Sequence, residues 1–315
     1  MRRRLFDLGT IVHRLPLVGP RRVRRTLAAR YAARFGVAPR LDRPVTFNEH
    51  ILHRMIFDRD PRLRIVCDKI AGKAFIAARG GSGLVVPTLR AWRRPEEIDW
   101  SLLPARFVLK PTHTSGPVAI VGGPAECDPA ALVAAARQWL AADYFDHSLE
   151  WGYRGVPRRL IAEPLLLGPG GAPPVEALVF TFGGRARLIR LLRGRKGTAE
   201  ERDAWYDATG RRLALPANLP EADIPLAPAD RAALVTVAER LSEGFSSLRV
   251  DCYLTAAGLK VGELTPYSNA GLLMWGSPEI DTLLGGLWDP GFDLARLPGH
   301  AGTPTGGRAL VAAGR

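Results

Sequence analysis

The chain has 315 residues, 47% hydrophobic and 24% charged, with a net charge of +13. That length and composition support a sizeable core, in two domains or one large multi-lobed domain, and argue against global disorder. Three cysteines, Cys67, Cys127 and Cys252, form no CxxC or CxxxC pair, which argues against a disulfide framework or a zinc site and fits a reducing compartment.

The positive charge is concentrated at the start. Residues 1–40 hold eleven arginines against one acid, Asp7. The basicity is a local arm with few interleaved aromatics, so a nucleic-acid binder is disfavoured. Such an arm suits an anionic membrane surface, and equally a solvated arginine-rich end. The apolar run after Met1 is broken by His13, Arg14 and Pro16, and nowhere does a run reach the ~18 apolar residues that span a bilayer. The expected location is cytoplasmic, with peripheral contact at the inner membrane face through residues 1–40.

No internal repeat is evident. Residues 21–36 read as a basic amphipathic helix. Thr46-Phe47-Asn48-Glu49 is a capping box, opening a helix through about Phe57. A second helix is expected from Asp60 to Arg79, ending at Gly80-Gly81. Strands are expected at 84–86, 106–110 and 118–121, with the Pro111–Gly116 loop making the last two a hairpin. A helix over 128–142 and a strand over 159–163 follow. The Pro/Gly-rich connection at 168–174 marks the best lobe boundary. Strands 176–182 and 186–193 flank a Gly183-Gly184 turn, and 194–227 reads as a long polar loop or lid. A helix over 228–244 precedes strands 248–254 and 259–264, joined at Ala257-Gly258. The result is a mixed α/β (α+β) chain rich in antiparallel hairpins.

The candidate chemistry starts with lysine, of which there are only five: Lys69, Lys73, Lys110, Lys196 and Lys260. A compact ammonium suits a phosphate held as a point charge. Lys110 ends an apolar strand before a Gly/Ser/Thr loop, an arrangement fit for a triphosphate; a strand-end lysine is equally a solvated charge. Asp251 and Glu263 lie on the two strands of the last hairpin. They suit Mg²⁺, which takes oxygen ligands, or are simply two surface acids. His113 is either a general acid/base or a loop histidine bonded to the backbone. The remaining histidines form no ligand pattern, and the tryptophans are read as packing. No nucleophile triad, dinucleotide fingerprint or Walker A motif appears.

Eight segments in order resemble the TupA-like ATP-grasp family over roughly residues 30–290. They are Thr46–Glu49, Cys67-Asp68-Lys69, Leu103–Lys110, His113–Gly116, Pro157–Glu163, Phe180–Gly184, Arg249–Tyr253 and Gly262–Thr265. The resemblance implies an ATP-grasp fold, in which two α+β lobes clasp ATP, and an ATP- and Mg²⁺-dependent carboxylate–amine ligase. Its substrates are implied to be a small-molecule carboxylate and an amine, glycan-linked and belonging to a cell-surface polysaccharide or its precursor. Lys69 and Lys110 resemble the phosphate-holding lysines, and His113, Thr114, Ser115 and Gly116 the phosphate-covering loop. Glu163, Leu165 and Leu166 resemble the adenine-side hinge, and Glu176 the ribose-binding acid. Arg249 resembles the arginine at the transferring phosphate, and Asp251 and Glu263 the metal ligands.

The chain departs from the family pattern in three places. Thr114 stands where the family usually has glycine, Leu178 where it commonly has lysine, and Thr265 where many ATP-grasp enzymes have a metal-binding asparagine, for which Asn269 is the nearby substitute. The Thr114 and Leu178 departures leave a degenerate nucleotide-binding module as one alternative, and the pathways in which some relatives sit leave a glycosyltransferase-type polysaccharide enzyme as another. The expected organisation is a basic helical arm (1–45), an N-terminal lobe (46–108), a central lobe (109–170), a catalytic Mg-binding lobe (171–298) and a flexible tail (299–315).

Overall fold

A computed structural model of the chain describes residues 19–194, 197–215 and 219–300. The first helix, α1 (Pro20–Phe35), buries Val23, Leu27 and Tyr31 at four-residue spacing and leaves Arg21, Arg22 and Arg25 exposed. The helical part of the arm is therefore docked on the core through one face. The stretch 1–18 lies outside the described residues. α2 (Phe47–Phe57) opens with the expected capping box, Thr46 accepting from the Glu49 N–H and Glu49 from that of Thr46. Asn48 is fully buried and clasps α8 (Pro278–Gly285). Its N–H and Nδ2 donate to Asp281 at 3.1 and 3.0 Å, and Nδ2 also reaches the Leu273 carbonyl at 2.8 Å. The Thr46–Glu49 motif is therefore a structural joint.

The helix expected over 60–79 is two helices, α3 (Arg62–Cys67) and α4 (Lys69–Gly80). Asp68 breaks them by turning extended, and its side chain caps α4 through the Ile70 N–H at 2.9 Å, as a short acid outside a helix start does. The strand expected at 84–86 is a turn over Ser82–Leu84, followed by a single parallel bridge from Val85 to Val261.

Four strands form the smaller sheet, in the order β1-β4-β2-β3: β1 (Arg90–Trp92), β2 (Phe107–Pro111), β3 (Ala119–Val121) and β4 (Leu160–Pro164). Alternation decides its faces. Phe107, Leu109 and Leu160 pack under Leu132 and Ala136 of α5 (Pro129–Ala141), while Lys110 and Glu163 point the other way. The lobe boundary expected between 108 and 109 falls inside β2. The connection at 168–174 does separate this sheet from the larger one. A short helix, α6 (Tyr144–Ser148), follows α5.

The larger sheet runs β10-β9-β5-β6-β7-β8. Its strands are β5 (Val175–Phe182), β6 (Arg185–Arg193), β7 (Arg202–Asp207), β8 (Arg212–Leu213), β9 (Ser247–Thr255) and β10 (Gly258–Thr265). Gly183 and Gly184 both have positive φ (55° and 75°), as a tight two-residue hairpin requires. One face is sealed by Leu234, Ala238 and Leu241 of α7 (Pro228–Ser242). The other packs Phe180, Phe182 and Trp205 against Phe47 and Trp275, and carries the polar residues. β7 and β8 lie within the expected loop at 194–227. Gly299 and His300 bond to the β8 region, so the tail expected from 299 is anchored there. The rest of it lies outside the described residues.

Candidate active site

Three lysines converge where α4 passes between the two sheets. Because Asp68 ends α3, Lys69 opens α4, and Lys73 follows one turn later on the same side. The Lys69 ammonium donates to the Thr114 carbonyl at 2.5 Å and lies 3.7 Å from Glu263 Oε1. It therefore ties the loop after β2 to β10. Lys73 and Lys110 close on one carboxylate. Their Nζ atoms lie 2.6 and 2.7 Å from the two oxygens of Glu163, and Lys73 also donates to Thr88 Oγ1 at 2.7 Å. The Glu163 side chain expected at the adenine hinge is thus held by two lysines. Leu165 and Leu166 follow it, half-buried, on the way to the larger sheet.

The opposing wall is the β9–β10 hairpin. Arg249 and Asp251 share one face of β9, and the guanidinium grips the carboxylate with two bonds of 2.7 Å. Asp251 and Glu263 are direct cross-strand partners because β10 bulges between Val261 and Glu263. Val261 pairs with Cys252, so without the bulge Gly262 would oppose Asp251 and Glu263 would turn to the α7 side. One extra residue re-aims the carboxylate. A Cβ at 262 would lie 2.4 Å from the Tyr253 ring, so any larger residue there displaces that ring. Thr265 donates to Asp251 Oδ2 at 3.3 Å and lies 3.4 Å from the Arg249 guanidinium. Asn269, the expected substitute ligand, is exposed in a left-handed turn (φ 50°). Among the described residues no cluster of three His, Cys, Asp or Glu could hold a metal. The Asp251–Glu263 pair offers two oxygen-donor carboxylates and leaves further positions for phosphate oxygens and water, which fits the hard-donor preference of Mg²⁺.

The loop 113–116 spans both walls. Thr114 keeps a negative φ, while Gly116 alone takes the left-handed turn (φ 103°), so threonine brings no backbone strain. Tyr144 on α6 lies beside Ser115. The His113 ring is buried near the end of α5, neither ring nitrogen has a hydrogen-bond partner among the described residues, and burial lowers its pKa. Glu176 lies on the same sheet face as Arg249 and interacts with it electrostatically. Leu178 sits opposite Asp251 on one side and Arg190 on the other. Arg190 is held by Asp203 at 2.6 Å, so a guanidinium stands beside the position of the missing lysine.

Three residues went unassigned in the sequence. Lys73 carried a signal, the Lys69-x-x-x-Lys73 spacing in a lysine-poor chain. Arg190 carried none, because its neighbour β7 was read as a loop. Glu150 carried none either. It follows Leu149, whose φ of 64° is a left-handed strain for a leucine. It precedes Gly152, clamped where a Cβ would lie 2.6 Å from Cys67 Sγ. The carboxyl is 5% exposed, and no hydrogen bond to it is present among the described residues. Burial, with Glu263 adding repulsion and Arg249 opposing, pushes its pKa up to about 8.

The family profile described as TupA-like ATPgrasp matches residues 49–288. Among curated proteins none matches. Similar solved structures include a D-alanine–D-alanine ligase from Bacillus anthracis complexed with ATP. It is 17% identical, with a TM-score of 0.38, 64% of this chain and 55% of that one being covered. The ATP-grasp ligase PsnB with its minimal precursor is 14% identical, with a TM-score of 0.38 and coverage of 66% and 54%. The chain thus spans about half the length of these ligases. With the family profile covering most of its length, the chain belongs to the TupA-like ATP-grasp family.

Proposed function

We propose that this chain is an ATP-dependent ligase that activates a carboxylate and joins it to an amine, acting through an acyl phosphate. The observation that carries the reading is the gathering of Lys69, Lys110, Arg249, Asp251 and Glu263 at the junction of the two sheets, from four separate elements. The lysines suit phosphate charge. Asp251 and Glu263 would hold Mg²⁺, which supplies positive charge to the phosphate oxygens. Arg249, fixed by Asp251, is oriented before reaction to stabilise charge on the transferring group. The Pro164–Leu166 segment offers its backbone and apolar side chains to adenine, and Glu176 an acid to ribose. The loop 113–116, tied down through the Thr114 carbonyl, would exclude water from the acyl phosphate.

The finer reading places the substrate in a cell-surface polysaccharide or its precursor, modified with an amino acid or peptide at the inner membrane face. The exposed Arg21, Arg22 and Arg25 support contact with anionic lipid. No helix of the described residues is long and apolar enough to cross a membrane.

The test is ADP release from MgATP in the presence of hydroxylamine, with L-amino acids and hexuronic acids supplied one at a time. Carboxylate-dependent ADP and hydroxamate formation supports the ligase. ATP binding without carboxylate-dependent turnover indicates a degenerate module, and turnover of UDP-sugars without ATP a glycosyltransferase.

A further inference from the structure

Lys73 has no part in the roles assigned so far, yet its environment is unusual. Its side chain is 11% exposed, that of Lys110 15% and that of Glu163 6%. One buried carboxylate is therefore shared by two ammonium groups, and the trio carries one surplus positive charge. The two lysines come from different elements. Lys110 rides on β2, two residues along from the Val108 that pairs with Glu163. Lys73 sits on α4, one turn beyond Lys69, and donates to Thr88 as well. Burial lowers the pKa of Lys73, with Glu163 acting against that shift.

Lys110 cannot serve a phosphate without loosening its hold on Glu163. In a dry site a carboxylate that loses its only counter-charge is penalised far more than an exposed one. With Lys73 present, Glu163 keeps a partner when Lys110 turns away. We infer that Lys73 is a positioning residue that releases Lys110 from Glu163 for the nucleotide, so that the Lys73–Glu163–Lys110 trio is a charge relay set for phosphate binding. The inference rests on the nucleotide site proposed above. Glu163 then acts through the lysines, and its carboxylate has no direct task on adenine.

The relay predicts a pattern that a simple structural or phosphate-binding role for Lys73 does not. MgAMP-PNP binding would be measured by titration calorimetry on the full chain, for wild type, Lys73→Met, Lys73→Arg, Glu163→Gln and the Lys73→Met/Glu163→Gln double variant. Lys73→Met should weaken binding about tenfold or more, because Lys110 becomes the sole partner of Glu163. Lys73→Arg should stay within about threefold of wild type. Glu163→Gln should bind at least as tightly as wild type, and the double variant should regain most of what Lys73→Met loses. The inference is overturned if Lys73→Met binds like wild type, or if the double variant is no better than Lys73→Met. Should Lys73→Met fail to fold, Glu163→Gln decides alone, an affinity loss of about tenfold contradicting the relay. No binding by wild type overturns the nucleotide site itself, and the relay with it.

Discussion

Glu150 shows most clearly what the folded chain does to one residue. Its carboxyl releases a proton near pH 4.5 in an ordinary setting and at about 8 here. Between those values the folded state holds a proton that the unfolded chain has lost, so stability falls as pH rises. Glu150→Gln should remove that slope. Comparing denaturation at about pH 5 and about pH 8.5, wild type should lose about 2 kcal/mol or more relative to the variant. Parallel losses would mean that Glu150 ionises normally. At this scale Lys69, Lys110, Arg249, Asp251 and Glu263 were singled out chiefly by the family resemblance, since residue type alone left them open to ordinary surface readings, and the structure brings them together. Glu150 was hidden because its place depends on a strained Leu149 and a clamped Gly152, neither of which has a sequence pattern. The surroundings of His113 and Asn269 were not legible either, since no sequence spacing reveals that the one ring is buried near the end of α5 and the other side chain exposed in a left-handed turn.

Among the elements, the β10 bulge carries the most chemistry. It puts Glu263 on the face of Asp251, and Gly262 leaves room there for the Tyr253 ring. Gly262→Ala should cost about 1–3 kcal/mol of stability through overpacking against Tyr253, and should also remove stabilisation by MgATP. Thermal unfolding with and without the nucleotide checks both, and a variant still stabilised like wild type would separate the bulge from the site. The hairpin itself was legible from its alternation, with its turn one residue before the expected Ala257-Gly258, and the capping box from four residues. The break at Asp68 was not, because apolar spacing continues across it while the acid caps a new helix. β7 was missed for a related reason. Arg202 and Asp203 make it look like a loop, yet Asp203 is buried by its bonds to Arg190 and Trp205. A strand whose polar residues find partners in the sheet lacks the apolar signature that sequence reading needs.

For the whole molecule, the mixed α/β class and the larger antiparallel sheet were legible, and the lobe boundary at 168–174 falls between the sheets. The division expected at 108/109 lies inside β2, whose extent the sequence leaves open. Helix α1 buries one face and exposes the other, so its deletion would remove Val23, Leu27 and Tyr31 from the core. Charge removal tests the membrane reading more cleanly. Wild type should co-sediment with phosphatidylglycerol vesicles, and Arg21→Gln/Arg22→Gln/Arg25→Gln should bind about 100-fold more weakly, at about 1 kcal/mol per arginine. Unchanged binding would remove this surface from the account.

The central claim is a magnesium-dependent nucleotide site between the two sheets, and thermal unfolding with ATP tests it most directly. With ATP at about 100 times its dissociation constant, wild type should gain about 2.7 kcal/mol, a rise of a few degrees, only when Mg²⁺ is present, and Lys110→Ala should abolish the gain. No shift of the wild type at millimolar ATP and Mg²⁺, or an equal shift in Lys110→Ala, would contradict the account.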